Sequence, residues 1–542
     1  MPPSLAAVRQ PYQAKRAMVV SGEAHATDVG LDVLRSGGNA IDTAVAMGFV
    51  LSVTHSGMCG LGGGYILART GDGRSTFLDF REQAPIQSSR AMFLDSNGRL
   101  SADSVTGWRA AAVPGYVLGF DTAHREFGSK PWADLLQPAI DLARNGHPIS
   151  YLRAQSLRSI VSLLNDPEST RIFLNRGLYY EPGNVLIQAD LAQTLERIAR
   201  AGAKEFYHGD VAHRLADSMK ANRGLIGLAD LRNYHVSEHQ PLQGRYRGYD
   251  VLTASGSSSG GVCLLQMLGM LEGSGYEKSG AGSAAVLHFL AEAMRRSFAD
   301  RCESLGDPDF VQVPYETLLD RARLALLRAS VDPDRATPSD QIRPGKSAVR
   351  EGASTTHFGV VDAAGSAVAV TITLNTQYGS GVTVPGLGFL LNNNMDNFAA
   401  NPGNANQYGL VQGEANAIQP GKRPAASMTP TIVLKDGKLF MVVGTPGGPT
   451  IANSVLQALV NVIDFGLNAQ DAVNAPRIHH QWYPDRIFIE PGFSPGTIAL
   501  LKGRGHEIEL RESNNDVNMI LAGEEWMQAG IDPRREGKAA GY

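Results

Sequence analysis

Between Ala367 and Leu374 the apolar residues Val368, Val370, Ile372 and Leu374 alternate with Ala369, Thr371 and Thr373. That is the two-residue period of a β-strand. Val360-Val361-Asp362 ends a preceding strand and Ala363-Ala364-Gly365-Ser366 supplies the turn, so the region reads as a hairpin. Thr431 to Leu434 and Leu439 to Val443 flank Asp436-Gly437 and predict a second hairpin. Tyr65 to Arg69 and Ser75 to Phe80, around Asp72-Gly73, predict a third, and Met18 to Ser21 reads as a single strand. Helical signals alternate with these. Thr27 to Ser36 reads as a helix stopped by Gly37-Gly38, and Asn39 caps the next from Ala40 to Val53. From Pro131 to Asp300 the pattern is mostly helical, with Leu287, Leu290, Met294 and Phe298 on one stripe. Ile451 to Phe465 reads as a long apolar helix. Val331 to Ser354 has no period and is polar and proline-rich, which predicts an exposed tether just before Thr355.

Composition narrows the function classes. The chain has 542 residues with 43% hydrophobic and 19% charged, enough for a large core in one big domain or a few small ones. A formal net charge of -4 without a basic block argues against nucleic acid or an anionic membrane as the main partner. Cys59, Cys263 and Cys302 are too widely spaced for a disulfide framework or a zinc site. Met1-Pro2-Pro3-Ser4 lacks the charged and apolar segments of a signal peptide. The expected compartment is therefore cytoplasmic for the chain as given, or periplasmic or secreted if its N-terminus is already processed. The apolar window Ala40 to Val53 is broken by Asp42 and too short to span a bilayer, so a buried helix is expected.

Candidate chemistry centres on Thr355-Thr356-His357-Phe358, set between the tether and the first hairpin. A threonine freed there by chain cleavage would carry its own amine beside its hydroxyl, one route to activating a weak nucleophile. Without a cut, the same threonines are ordinary strand-edge residues. Gly444-Thr445-Pro446-Gly447-Gly448-Pro449 lies between a strand and an apolar helix, where backbone N–H groups can hold an oxyanion. Gly256-Ser257-Ser258-Ser259-Gly260 matches a nucleophile elbow between strand-like Asp250 to Thr253 and helix-like Val262 to Leu271. No Asp-then-His order follows it. Gly60-Leu61-Gly62-Gly63-Gly64 fails the dinucleotide pattern at Tyr65 and predicts a tight backbone crossing. His479-His480 lacks metal-ligand spacing, so neither metal nor cofactor is expected. Arg81, leaving the strand Phe77 to Phe80, suits a two-point carboxylate clamp or a salt bridge to Asp79 or Glu82.

Several segments together resemble the γ-glutamyltransferases (glutathione hydrolases) over nearly the whole chain. They are Ser36 to Asp42, Asp79 to Glu82, Leu305 to Phe310, Ile342 to Lys346, Thr355-Thr356-His357, Leu391-Asn392-Asn393, Lys422-Arg423-Pro424 and Pro446-Gly447-Gly448. The resemblance implies an α+β, four-layer αββα sandwich, the N-terminal nucleophile hydrolase fold. It implies self-cleavage between Ser354 and Thr355. Residues 1–354 would form a large subunit and 355–542 a small one, together one catalytic unit and a heterodimer of the chain's own fragments.

In that scheme Thr355 is the nucleophile, supported by Thr373, and Gly447 and Gly448 hold the oxyanion. Arg81 matches the arginine that binds the glutamyl α-carboxylate, Asn375 an asparagine on the α-groups, and Ser427 one of two carboxylate-binding serines. The segment Asn404 to Ala417, with Tyr408, resembles a lid. Three positions depart from the family pattern: Ala426 replaces the second serine, Asn397 replaces the acid for the α-amine, and Asn394 replaces the neighbouring glutamine. The implied activity is cleavage of γ-glutamyl amides such as glutathione, with transfer to water or to an amino acid or peptide. The alternatives are a glutaryl-amide (cephalosporin) acylase on the same scaffold, a serine hydrolase using Ser258, and a non-catalytic binding protein.

Overall fold

Both faces of the strand that begins at Ala367 are buried, so it lies inside the molecule rather than half in water. A computed structural model of the chain describes residues 9–159, 161–342, 354–404, 406, 409–512 and 515–542. The strand Ala367–Asn375 pairs with Ser354–Val361 on one side and Gly63–Arg69 on the other. Outward from these lie Met18–Ser21 and Lys538–Gly541 at one edge, and Ser75–Phe80 and Ser237–His239 at the other, seven strands in all. A second seven-stranded sheet has Lys438–Gly444 at its centre, flanked by Asn518–Ala522 and Thr431–Lys435. Every pairing within these two sheets is antiparallel.

The strand alternation sorts the core into layers. Val368, Val370 and Ile372 pack with the helices Ala40–Thr54, Tyr116–Phe127 and Trp132–Asn145. Ala367 and Ala369, on the other face, share a core with Met441, Val443 and Ile520 of the second sheet. That sheet is covered in turn by Gly260–Leu271, Ala284–Ser304 and Ile451–Ile463. The order is helix, sheet, sheet, helix, the αββα sandwich that the family resemblance implied. Among the described residues no helix is long and apolar enough to cross a membrane.

Small residues let the two sheets approach. A Cβ on Gly359 would lie 3.2 Å from Val442 Cγ1, and one on Gly444 would lie 2.2 Å from the His357 ring. His357 is fully buried with its Nδ1 2.8 Å from Thr371 Oγ1, so the ring has no room to retreat. Gly444→Ala should therefore destabilise the fold by about 1–3 kcal/mol, the usual cost of overpacking. Denaturant titration of the variant against the parent measures it.

Several sequence expectations shift. The first helix starts at Ala24 rather than Thr27, because the Glu23 side chain caps it by accepting from the backbone N–H of His25 and Ala26. The expected Asn39 cap is present as a capping box with Asp42. The stretch Pro131 to Asp300 also contains the strands Ser237–His239, Leu242–Tyr246 and Tyr249–Thr253. The last of these is the strand expected at Asp250 to Thr253, while the first two, not expected, lie at sheet edges. The tether is anchored in its described part. Ser339 opens a short helix, donates its N–H to Asp485 Oδ2 and its hydroxyl to Trp482 O. Residues 343–353 lie outside the described residues.

Buried histidines set the pH response. Burial pushes His55, His147, His357, His479 and His506 down to about 3, and His480 to about 4. They are neutral when folded but take up protons below about pH 6.5 once unfolded, so acid favours unfolding. Glu82 and Asp516 act oppositely, since burial raises both to about 7 and they bind protons first in the folded state. Burial also lowers His288, while burial raises Asp307 and Asp464 and the Glu23 contact raises His25, so seven groups oppose five and the melting temperature should fall between pH 6.5 and pH 4. A melting temperature that rose over that interval would contradict the burial of these rings.

Candidate active site

Thr355 stands where the first sheet's regular pairing breaks. Ser354 pairs with Asn375 but Thr355 pairs with Thr373, a one-residue bulge that admits Leu374 as the extra residue. Asn375 takes a φ of 81°, in the left-handed region. Bulges re-aim side chains, and here the Thr355 and Thr373 hydroxyls come within 3.1 Å. Thr373 Oγ1 also accepts the Asn375 N–H at 2.8 Å. Both threonines are buried, Thr355 at 4% exposure.

Thr355 shares its face with His357 and Gly359, and that face meets the second sheet. Gly359 lies over Val442 and His357 over Gly444. The two strands thus run in opposite directions across the contact, and the second sheet's strand ends at Gly444. The turn Gly447-Gly448 follows at once, with φ values of 139° and 57° that only glycine adopts without strain. Among the described residues neither amide N–H is spent on a protein acceptor. A Cβ on Gly447 would lie 2.1 Å from Asn515 Oδ1, so the turn is fixed by packing as well as by φ.

A chain of polar side chains is buried at this same end of the first sheet, where the strand Ser75–Phe80 exits beside Gly63 and Thr373. Arg81 Nη1 lies 3.0 Å from Glu82 Oε2, with the two side chains 2% and 0% exposed. Glu82 Oε1 accepts Asn394 Nδ2 at 2.6 Å, and Asn394 Oδ1 accepts Asn397 Nδ2 at 2.7 Å. The chain therefore runs Arg81, Glu82, Asn394, Asn397. Asn375 joins it through the backbone, donating Nδ2 to Asn393 O. Glu82 sits under the glycine run: Cβ atoms on Gly62 and Gly63 would lie 2.9 and 2.8 Å from its carboxylate, and one on Gly62 would lie 2.2 Å from Thr373 O. That run is the tight crossing expected. Its glycines make room for a carboxylate as well as for the strand.

The other recurrent segments hold this arrangement in place. Arg423 donates its N–H to Asp307 Oδ2 and Nη2 to His235 O, and its Nη1 lies 3.3 Å from Asp309 Oδ2. Arg81 N–H bonds Asp79 Oδ1. So the segments around Asp79, Asp307 and Arg423 converge on one ion cluster behind Arg81. Asn392 ties the Asn394 turn to Ala112 by bonding both its N–H and its carbonyl. Of the segment resembling a lid, Gln412 and Asn416 both donate to Asn397 O. Tyr408 lies outside the described residues. The Arg81–Glu82 pair is the salt bridge that the sequence offered for Arg81, whereas the contacts of Asn393 and Arg423 join distant segments that no local pattern links.

Ser258 does not join this site. Its strand and helix context is as expected, from Tyr249–Thr253 to Gly260–Leu271. But its hydroxyl is buried, donating to Met428 O at 2.6 Å and accepting the Gly260 N–H. It caps a turn, and the serine-hydrolase alternative is set aside. One group has metal-ligand spacing among the described residues, His288, Glu292 and His506. Its Glu292 is already held by Arg295 and Arg296, two cations that a metal would have to displace.

Comparison with known proteins fits this geometry. A family model described as gamma-glutamyltranspeptidase matches residues 26–542. A glutathione hydrolase proenzyme of Escherichia coli (strain K12) is 46% identical over 541 residues, 99% of this chain and 93% of that protein. An acylase ACY 1 proenzyme of Pseudomonas sp. (strain SE83) is 38% identical over 510 residues, 92% of this chain and 88% of its own length. The crystal structure of a cephalosporin acylase from Bacillus halodurans superposes with a TM-score of 0.88 at 25% identity, covering 100% of this chain and 99% of that one.

Proposed function

The chain belongs to the gamma-glutamyltranspeptidase family, and from that premise we propose a self-processing amidohydrolase acting on γ-glutamyl amides such as glutathione. The observation that carries the proposal is the Thr355–Thr373 hydroxyl pair at a strand bulge. In processing, Thr355 Oγ1 attacks the Ser354 carbonyl and displaces the Thr355 nitrogen. The Ser354 acyl group then sits on Oγ1 as an ester. Water cleaves that ester, leaving residues 1–354 with a new carboxylate and residues 355–542 with a free α-amine.

That amine, with an unperturbed pKa of about 8, accepts the Thr355 hydroxyl proton as Oγ1 attacks the substrate's γ-amide carbon. The tetrahedral oxyanion takes the N–H groups of Gly447 and Gly448. Collapse expels the leaving amine, which receives the proton, and forms a γ-glutamyl ester on Thr355. Water or an amino acid then resolves the ester. Arg81 and Ser427 bind the substrate carboxylate, and Asn375, Asn394 and Asn397 face its α-carbon groups. The rate should climb with pH as the Thr355 amine loses its proton. A kcat that fell between pH 6 and pH 8 would remove the amine from the base role.

A second reading has its own support. Asn397 is neutral, so the amine of a glutamyl group loses its counter-charge. A glutaryl group, which has the carboxylate without the amine, fits such a site, and acylases are among the relatives. N-terminal sequencing of the smaller fragment tests the processing, with Thr355 expected first. Comparing kcat/KM for γ-glutamyl and glutaryl anilides tests the substrate, and a strong glutaryl preference would favour the acylase.

A further inference from the structure

Arg301 is the buried cation that the site does not yet explain. It lies in the helix Ala284–Ser304, 4% exposed, and burial presses its pKa down. Among the described residues no carboxylate comes within 4 Å of its guanidinium. Its neighbour Asp300 is engaged by Gln266 and Arg323. The Arg301 partners are two hydroxyls: Nε donates to Ser259 Oγ at 2.8 Å and Nη2 to Ser427 Oγ at 3.3 Å. Ser259 in turn donates its hydroxyl and its N–H to Ala426 O. Arg301 thus grips the segment 426–427 from both sides. The next helix residue, Cys302, accepts the Gly413 N–H from the segment resembling the lid.

The contrast with Arg81 is electrostatic. Arg81 lies 3.0 Å from Glu82 and so already has an acidic partner inside the protein. Arg301 is buried and has none among the described residues. A desolvated cation without a counter-ion is costly unless an anion arrives from outside the chain, and uncompensated charges of this kind gather at binding sites.

Resting on the proposed reaction at this same site, we propose that Arg301 is a specificity-determining positioning residue for the acyl donor's carboxylate. It acts through Ser427. By donating to Ser427 Oγ it turns the serine's own proton outward to the carboxylate, and its charge supplies a positive field with no acidic partner beside it. This also accounts for a site that works with alanine at 426: one hydroxyl backed by a cation replaces two hydroxyls. The ligand class is a short acyl chain ending in a carboxylate, whether or not it carries an α-amine.

The test uses the processed enzyme and two readouts. The first is the rise in melting temperature on adding glutarate, which needs no turnover. The second is KM for γ-glutamyl and glutaryl anilides against valeryl anilide, which has no carboxylate. Arg301→Gln should abolish the glutarate shift. It should raise KM for both carboxylate substrates about 10–100-fold and lower their preference over valeryl anilide by the same factor, with a smaller change in kcat. On a Ser427→Ala background it should add little. Equal losses on all three substrates, an intact glutarate shift, or full additivity with Ser427→Ala would each overturn the proposal.

If Arg301→Gln does not fold, Arg301→Lys keeps the charge and loses the fork. It is expected to weaken glutarate binding severalfold, and an unchanged glutarate shift would overturn the proposal. A parent enzyme that binds glutarate yet turns over no acyl anilide would instead overturn the reaction and leave Arg301's role standing.

Discussion

Thr355→Ala should run as one uncut chain on a denaturing gel and lose activity by roughly 10⁴-fold or more, the scale set by removing a nucleophile. Both effects follow from one atom, because in the proposed reaction Thr355 Oγ1 is the attacking group in processing and in turnover. Thr355→Ser keeps that oxygen and should still cleave, more slowly. Without the methyl, the hydroxyl is free to leave the rotamer that reaches Thr373 Oγ1 at 3.1 Å. The structural alternative is that these threonines only pack the strand end, in which case Thr355→Ala folds, is cleaved and turns over. Gel mobility, fragment sequencing and anilide turnover on the same preparation separate the two. Thr373→Ala should fall between them, cleaving slowly and retaining part of the rate, since it loses a partner rather than the nucleophile.

The hairpin that carries Thr355 was legible because strand alternation is local. Val368, Val370 and Ile372 do face away from Thr371 and Thr373, as their spacing required. Burial of both faces was not legible, since the alternation alone predicts one wet face. Alanine and threonine on the second face were the clue: they are small because another sheet lies against them, as Gly359 and Gly444 also show. The bulge at Ser354 and Thr355 leaves no pattern in a strand of uniformly buried residues.

The site's polar chain was the least accessible part. Arg81 and Glu82 are adjacent, but Asn394 joins them from more than 300 residues away, and no local period reports such a contact. Arg301 was hidden for a different reason. The stripe of Leu287, Leu290, Met294 and Phe298 suggested a helix with one wet face, where arginines need no explanation. The helix is in fact enclosed on nearly all sides, and its arginines are buried.

Restoring the α-amine's counter-charge should shift the acyl preference, but Asn397→Asp alone is expected to do it poorly. Asn394 is committed at both ends, Nδ2 to Glu82 and Oδ1 to Asn397 Nδ2. A carboxylate at 397 would meet the Asn394 oxygen with no proton between them. Asn394 cannot turn its amide around without presenting that oxygen to Glu82. The longer Asn394→Gln side chain relieves the conflict by moving its amide, so the pair Asn394→Gln with Asn397→Asp is the informative variant. A charge-assisted hydrogen bond contributes about 1.5–3 kcal/mol. The ratio of kcat/KM for γ-glutamyl over glutaryl anilide should therefore rise about 10- to 100-fold in the double variant, and far less in Asn397→Asp alone. The shift should come from tighter binding of the substrate whose amine is protonated, so it should fade above the amine's pKa. An unchanged ratio in a folded, processed double variant would move the amine's binding place away from residue 397.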